Sequence, residues 1–222
     1  MWGIAFLGTA TGFVESTLAQ IYKIPRGHGL FHGGPAYYIQ NALGQPGIAK
    51  LFAVLISVTF GLIYVSVQAN TIALSMEKAF GADTYMMGGI LAVLSGAVIF
   101  GGIRRIADFT TLLVPLMAGI YLFIAIAVII LHIEEVPGMF ALILHDAFRP
   151  QAAVGGGIGT VILTGVRRGL FSNEAGEGSI PNAAATAHVT HPVKQGLVQA
   201  FGVYVDTWFV CSATAFIVLL TG

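Results

Sequence analysis

Charge is scarce in this sequence. Of its 222 residues only 9% are Asp, Glu, Lys or Arg, where an ordinary soluble domain carries roughly 25%. So few charges cannot cover a water-facing surface. Net charge is also missing, with 10 basic against 10 acidic residues. No basic field therefore points to nucleic acid as a partner. Cysteine is nearly absent: Cys211 stands alone, which excludes an internal disulfide framework and a paired thiol site for zinc or redox chemistry. No basic n-region opens the chain, since Met1-Trp2-Gly3-Ile4-Ala5-Phe6 runs straight into apolar sequence, so no cleavable signal peptide is visible. Nothing polar precedes the first hydrophobic run and the last run ends with the chain. The expectation is a fragment of a longer protein.

What is abundant is apolar sequence, 56% of residues, with a mean hydropathy of +0.86. A membrane-spanning helix needs about 20 mostly apolar residues, and the runs near that length sit at about 1–21, 51–76, 85–102, 110–132 and 196–220, with a long interrupted segment at 155–187. The expectation is an all-α, multi-pass protein of the cell inner or plasma membrane, a single transmembrane region with about six spans and membrane lipid as its solvent. Lys23–Gly47 reads as a loop with a short interfacial helix over Ala36–Leu43, and Glu134–Arg149 as a loop with another around Met139–Leu144. Alternate loops hold Lys23, Arg26, Lys50, Arg104, Arg105 and Lys194, whereas the others hold Lys78 and Arg149. Basic residues gather on the cytoplasmic side, and this six-to-two division arises only if 155–187 crosses once, as one broken span.

The break reads Ser172-Asn173-Glu174-Ala175-Gly176-Glu177-Gly178-Ser179. Gly169, Gly176, Gly178 and Pro181 disfavour a continuous helix. Non-helical backbone at membrane depth is tolerated only where protein buries it or it lines a polar cavity. Two half-helix ends then offer amide groups for a carboxylate and carbonyls for a cation. The plainer alternative is an extramembrane loop between two short hydrophobic pieces. Glu174 and Glu177 are functional by default at such depth, or else structural partners of Arg167 or Arg168.

Three further polar positions interrupt apolar runs. Gly61, Tyr64, Gln68, Thr71 and Ser75 recur every three or four residues and predict one polar stripe on the second span. Gln68 can read an amino or carboxylate group, or simply bond a neighbouring helix. Asp206 lies mid-span with Gln199 seven residues earlier on the same face; with Thr207 it is a candidate for oxygen-only coordination of a hard cation, against a proton relay or a structural hydrogen bond. Glu15, nearer the cytoplasmic end of the first span, reads as structural. Other patterns carry less. Gly157-Ile158-Gly159 lacks the strand and third glycine of a nucleotide fingerprint. Gly8-Thr9-Ala10-Thr11-Gly12 fits helix packing. His188 and His191 have no further ligand nearby for a metal. No catalytic constellation is present, so an enzyme is not expected.

The stretch Gly169-Leu170-Phe171-Ser172-Asn173-Glu174-Ala175-Gly176-Glu177-Gly178-Ser179-Ile180-Pro181-Asn182-Ala183-Ala184-Ala185 resembles the signature of the alanine/glycine:cation symporters. So do Pro192–Gly202 followed by Asp206-Thr207, Gln68-Ala69-Asn70, and Gly33-Gly34-Pro35-Ala36-Tyr37-Tyr38-Ile39. The resemblance implies a partial LeuT-like, broken-helix, inverted-repeat transporter of the amino acid–polyamine–organocation superfamily. Its members import alanine or glycine with sodium or protons, and use no cofactor beyond the coupling ion. It implies that Gln68, Phe171, Ser172, Asn173, Ala175 and Gly176 contact a small neutral amino acid, and that Asp206, Thr207 and Asn173 are sodium ligands. The chain would match the second to seventh helices of a family roughly twice its length. One departure stands out: Glu177 adds an acid where the family commonly has Leu or Met. A channel-like protein using the same break is the competing class, separable because a channel cannot concentrate its substrate.

Overall fold

The structure, a computed structural model, describes residues 1–27, 29–147 and 158–221. The described elements are helical apart from one small hairpin. In chain order they are α1 (Trp2–Ile21), strands β1 (Ile24–Gly27) and β2 (Leu30–His32), α2 (Pro35–Leu43), α3 (Pro46–Phe80), α4 (Thr84–Ile99), α5 (Gly102–Leu131), α6 (Val136–Ala147), α7 (Ile158–Asn173), α8 (Ser179–Thr186) and α9 (Pro192–Thr221). Of these, α3, α5 and α9 are long and apolar enough to cross a membrane, while α4 is a shorter apolar helix. The chain divides into two compact units, Met1–Phe52 with Tyr121–Gly222, and Ala53–Ile120.

The first unit is organised by α1. Its buried residues Ala5, Gly8, Gly12, Ser16 and Ala19 recur every three or four positions, giving one small-residue face. With almost no side chain in the way, other backbones approach closely, which is how helices associate where no hydrophobic effect drives them. Helices α8 and α9 pack on that face. Gly12 meets Val203 and Ile180, and a Cβ at Gly196 would overlap the Thr17 side chain. The small core joins Ala5, Ala175 and Val203. Near the start of α1, Trp2 stacks on Trp208 with centroids 5.7 Å apart, and Phe6 meets Trp208 edge-on at 5.4 Å. Helix α6 joins α9 through Phe140 and Phe216.

After α1 the chain departs from the expected loop. Strand β1 pairs antiparallel with β2, Ile24 opposite His32 and Pro25 opposite Phe31. The turn into α2 passes through Gly33 and Gly34. Gly34 has φ +109°, and a Cβ there would overlap the Asn182 side chain of α8. Only glycine meets both demands. Helix α2 then covers Pro35–Leu43, with Pro at its first position as helix starts favour.

The second unit comprises most of α3, α4 and the first part of α5. Helix α3 runs further than the expected span and contains a π-helical turn at Thr59–Tyr64. That wider turn advances less per residue than an α-helix. Gly61 lies within it and Tyr64 closes it, whereas Gln68, Thr71 and Ser75 lie on the regular helix that follows. Helix α5 begins eight residues before the expected span, at Gly102, so Arg104 and Arg105 lie in its first turn rather than in a loop. Asp83 caps α4 by accepting the Met86 amide at 2.8 Å.

Candidate functional site: the break between two half-helices

The interruption predicted from sequence is present and short. Helix α7 ends at Asn173, and α8 begins at Ser179. Gly176 and Gly178 take φ of +89° and +93°, and Glu174 is the one non-glycine residue with positive φ among those described, at +52°. The two glycines therefore make the break. Gly169 and Pro181 do not: Gly169 lies inside α7 against Ile4 of α1, and Pro181 is in the first turn of α8, where the missing amide proton costs nothing. Residues 155–157, the expected start of the broken segment, and Arg149 lie outside the described residues.

Around the break several polar groups are paired. The Ser172 hydroxyl donates to Asp206 Oδ2 and also lies 3.0 Å from Cys211 Sγ. Asn173 is buried. Its Oδ1 accepts the Ala175 amide at 3.1 Å, and its Nδ2 lies 3.4 Å from Thr207 Oγ1, at the edge of hydrogen-bond range. The Gly176 amide donates to Glu15 Oε1 at 2.6 Å. The Ser179 hydroxyl donates to Glu174, so Glu174 bonds the first residue of α8 rather than an arginine. Glu177 is half-buried in the same turn, its amide bonded to the Glu174 carbonyl.

Asp206 and Thr207 sit in a second π-helical turn, Val205–Val210, inside α9. π turns leave the regular carbonyl ladder out of step and recur at functional sites. Asp206 opens onto a cavity of about 250 Å³, lined with Ser172, Asn173, Glu174, Ile180, Gln199, Gly202 and Val203. Thr207 lies behind it, with its Oγ1 toward the Asn173 carboxamide. It is fully buried and lies at the wall of a separate, largely apolar cavity of about 650 Å³ that includes Trp2, Phe140, Leu144 and Phe216. The smaller cavity is the chemically relevant one, since it gathers two carboxylates, a hydroxyl and two carboxamides.

The expected residues thus separate into groups. Ser172, Asn173 and Asp206 share one cavity. Ala175 is packed in the core against Ala5 and Val203, behind the wall rather than in it, and the Gly176 amide is taken by Glu15. Phe171 faces another cavity, with Thr164, Arg167 and Arg168. Gln68 is exposed on the regular part of α3 in the second unit. Among the described residues no cluster of three or more His, Cys, Asp or Glu could hold a metal. Any cation here would rest on neutral oxygens and the carboxylates of Asp206 and Glu174, which suits a hard ion better than a transition metal.

Sequence reasoning missed the supports. Gly8 looked like a packing glycine; its Cα faces Asn173, and an added Cβ would stand 3.2–3.3 Å from the Asn173 carboxamide and the Ala175 methyl. At the far end of α8, Gln20 Nε2 donates to the carbonyls of Ala184 and Ala187, and Lys23 Nζ donates to Ala187 at 2.8 Å and to Gln20 Oε1 at 2.6 Å. A cation on the last free carbonyls of a helix is the favourable polarity. The ammonium also lies 4.0 Å from the Phe31 ring centroid. Burial pulls the Lys23 pKa below its ordinary value. Tyr38 of α2 is pushed up to about 12 by burial and by the charge of Glu15, so its hydroxyl stays protonated. None of these partners is readable locally, because more than 160 residues separate Glu15 from Gly176 and Lys23 from Ala187.

The sequence is similar to known transporters. The family model described as the sodium:alanine symporter family matches residues 1–222. The chain belongs to that family. It is 53% identical over 220 residues to the amino-acid carrier protein AlsT of Bacillus subtilis, covering 99% of this chain and 47% of that protein. It is 51% identical to the probable sodium/glutamine symporter GlnT of the same organism, covering 100% of this chain and 46% of the relative. Against the sodium/proton-dependent alanine carrier protein of Bacillus sp. strain PS3 the identity is 41%, covering 49% of that carrier. The chain thus spans about half the length of these relatives. Membership in a symporter family, together with helices able to cross a bilayer, makes it a multi-pass plasma-membrane protein of a transporter family rather than of an enzyme family.

Proposed function

We propose that this chain forms part of a secondary active symporter that imports a small neutral amino acid, alanine or glycine, driven by sodium. The observation that carries the reading is the break itself: Ser172 and Asn173, at the end of a half-helix, share a 250 Å³ cavity with Asp206. A zwitterion needs donors for its carboxylate and acceptors for its ammonium; a hard cation needs oxygens. Half-helix ends and these side chains supply both. The architecture is LeuT-like, with about six spans in this chain, and α7, the break and α8 crossing once. In this reading Ser172, Asn173 and the backbone around Gly176 contact substrate, Phe171 stands at the outer approach, and Gln68 is a further contact to the amino acid. Ala175 keeps the pocket small from behind. Asp206, with Asn173 and Thr207, holds sodium. Proton coupling is the second reading, favoured by the carboxyl of Asp206 bonded to Ser172 and by the PS3 relative, whose name includes both ions.

The test is uptake of labelled alanine, glycine and glutamine into proteoliposomes containing the full-length polypeptide that carries this sequence. An inward sodium gradient should drive accumulation of alanine or glycine above equilibrium. Accumulation that follows only a proton gradient selects the second reading, and uptake that never exceeds equilibrium returns the channel class. Within the same assay Gln68→Ala should weaken apparent affinity at least tenfold; unchanged affinity would remove Gln68 from the site.

A further inference from the structure

Two arginines inside a membrane-spanning segment are costly and need an anion. Arg167 and Arg168 lie in α7, exposed, and line a cavity of about 390 Å³ with Thr164 and Phe171. Positions 164, 167, 168 and 171 fall on one face of the helix. The neighbouring face is committed to packing, since Gly169 rests on Ile4 and Asn173 on Gly8. Three nearby acids are engaged elsewhere: Glu174 accepts from Ser179, Asp206 from Ser172 and Glu15 from Gly176. The basic-residue bias places Lys23 and Lys194, at the α8 side of the break, in the cytoplasm. Helix α7 is then the outer half-helix, and at 1.5 Å per residue Arg168 stands about 8 Å outward of Asn173 along the helix.

We propose that Thr164, Arg167, Arg168 and Phe171 form an outer anion subsite, which takes the carboxylate of the arriving amino acid before it reaches the break. This rests on the amino-acid reading above and adds a step to it. Guanidinium groups match a carboxylate in shape and charge. Phe171 closes the inner side of the subsite, so its ring separates capture from the Ser172–Asn173–Asp206 cavity. A positively charged site at the entrance raises the local concentration of an anionic group and so the rate of entry. The subsite therefore acts on apparent affinity, and leaves the turnover of a saturated carrier alone.

The experiment is labelled alanine uptake by the full-length polypeptide in proteoliposomes, comparing the native protein with the Arg167→Gln/Arg168→Gln and Arg167→Lys/Arg168→Lys pairs. The glutamine pair should raise KM at least fivefold with Vmax within twofold, and the lysine pair should return KM to within threefold of native. Raising ionic strength at fixed sodium should raise the native KM and leave that of the glutamine pair unchanged. Equal KM in all three proteins, or a fall in Vmax alone, overturns the subsite. An effect that vanishes in vesicles of phosphatidylcholine alone would assign the arginines to anionic lipid headgroups and also overturn it. If the glutamine pair does not fold, the ionic-strength dependence of native KM decides by itself. Absence of accumulation by the native protein would instead defeat the symporter reading, which separates the two failures.

Discussion

Gly8 has no room for more than a methyl group. A Cβ there would already press on the Asn173 carboxamide and the Ala175 methyl at 3.2–3.3 Å, so the residue that sets the position of Asn173 is a glycine on a different helix, 165 positions earlier. Overpacking of this kind typically costs about 1–3 kcal/mol, and here the displaced group is a candidate substrate ligand. A graded series is therefore expected. Gly8→Ala should reduce alanine uptake by the full-length polypeptide no more than about threefold, because neighbours need give only a few tenths of an ångström. Gly8→Leu should reduce it at least tenfold while membrane protein level stays within twofold. Equal uptake by both variants would show that Asn173 does not depend on this contact. Glu15 works from the same helix in the opposite sense: it supplies an acceptor where a broken helix leaves an amide without one.

At the scale of elements, the hairpin, α2 and α8 form one interlocked group. Gly34 shows how tightly. Its φ of +109° is strained for any L-residue, and a Cβ would overlap Asn182. Gly44, which ends α2, has φ +63° but open space around it, so alanine there costs only the backbone term, about 1–2 kcal/mol. Gly34→Ala should thus lower the thermal midpoint of the detergent-solubilised protein by clearly more than Gly44→Ala does; equal shifts would mean α8 is not docked on the hairpin. The sequence made some of this legible and not the rest, for a physical reason. Gly176 and Gly178 announce the break because backbone freedom is a local property, and the apolar runs of α3, α5 and α9 announce themselves by length. The two π turns carry no comparable signature: Thr59–Tyr64 and Val205–Val210 are ordinary apolar helix-forming stretches with a Thr or Asp among them. The β1–β2 hairpin hides in a stretch that reads only as a loop. The caps on α8 depend on Gln20 of α1 and on Lys23 just after it, more than 160 residues away, and only the fold brings them into reach.

At the scale of the whole molecule, the decisive fact is that the chain spans about half the length of its relatives. The apolar cores of α3 and α5 are each only 6% buried within the described structure, against 22% for α9. Lipid can cover an apolar helix face, so this exposure alone is no defect. The polar cavity is different. Asp206, Ser172, Asn173 and Gln199 open onto a space that α7, α8 and α9 line from their own side, and transporters of the broken-helix class complete such a site with elements from a second repeat. A carboxylate facing hydrocarbon without a further partner would take up a proton or draw in water rather than hold an ion selectively. The 222 residues reconstituted alone are therefore expected to insert into vesicles, yet to show no sodium-driven accumulation of alanine. The full-length polypeptide should accumulate it under the same gradient. Insertion is checked by resistance to alkaline extraction, and accumulation by uptake before and after an ionophore collapses the sodium gradient. Ionophore-sensitive accumulation by the 222 residues alone would show that no further part of the polypeptide is required.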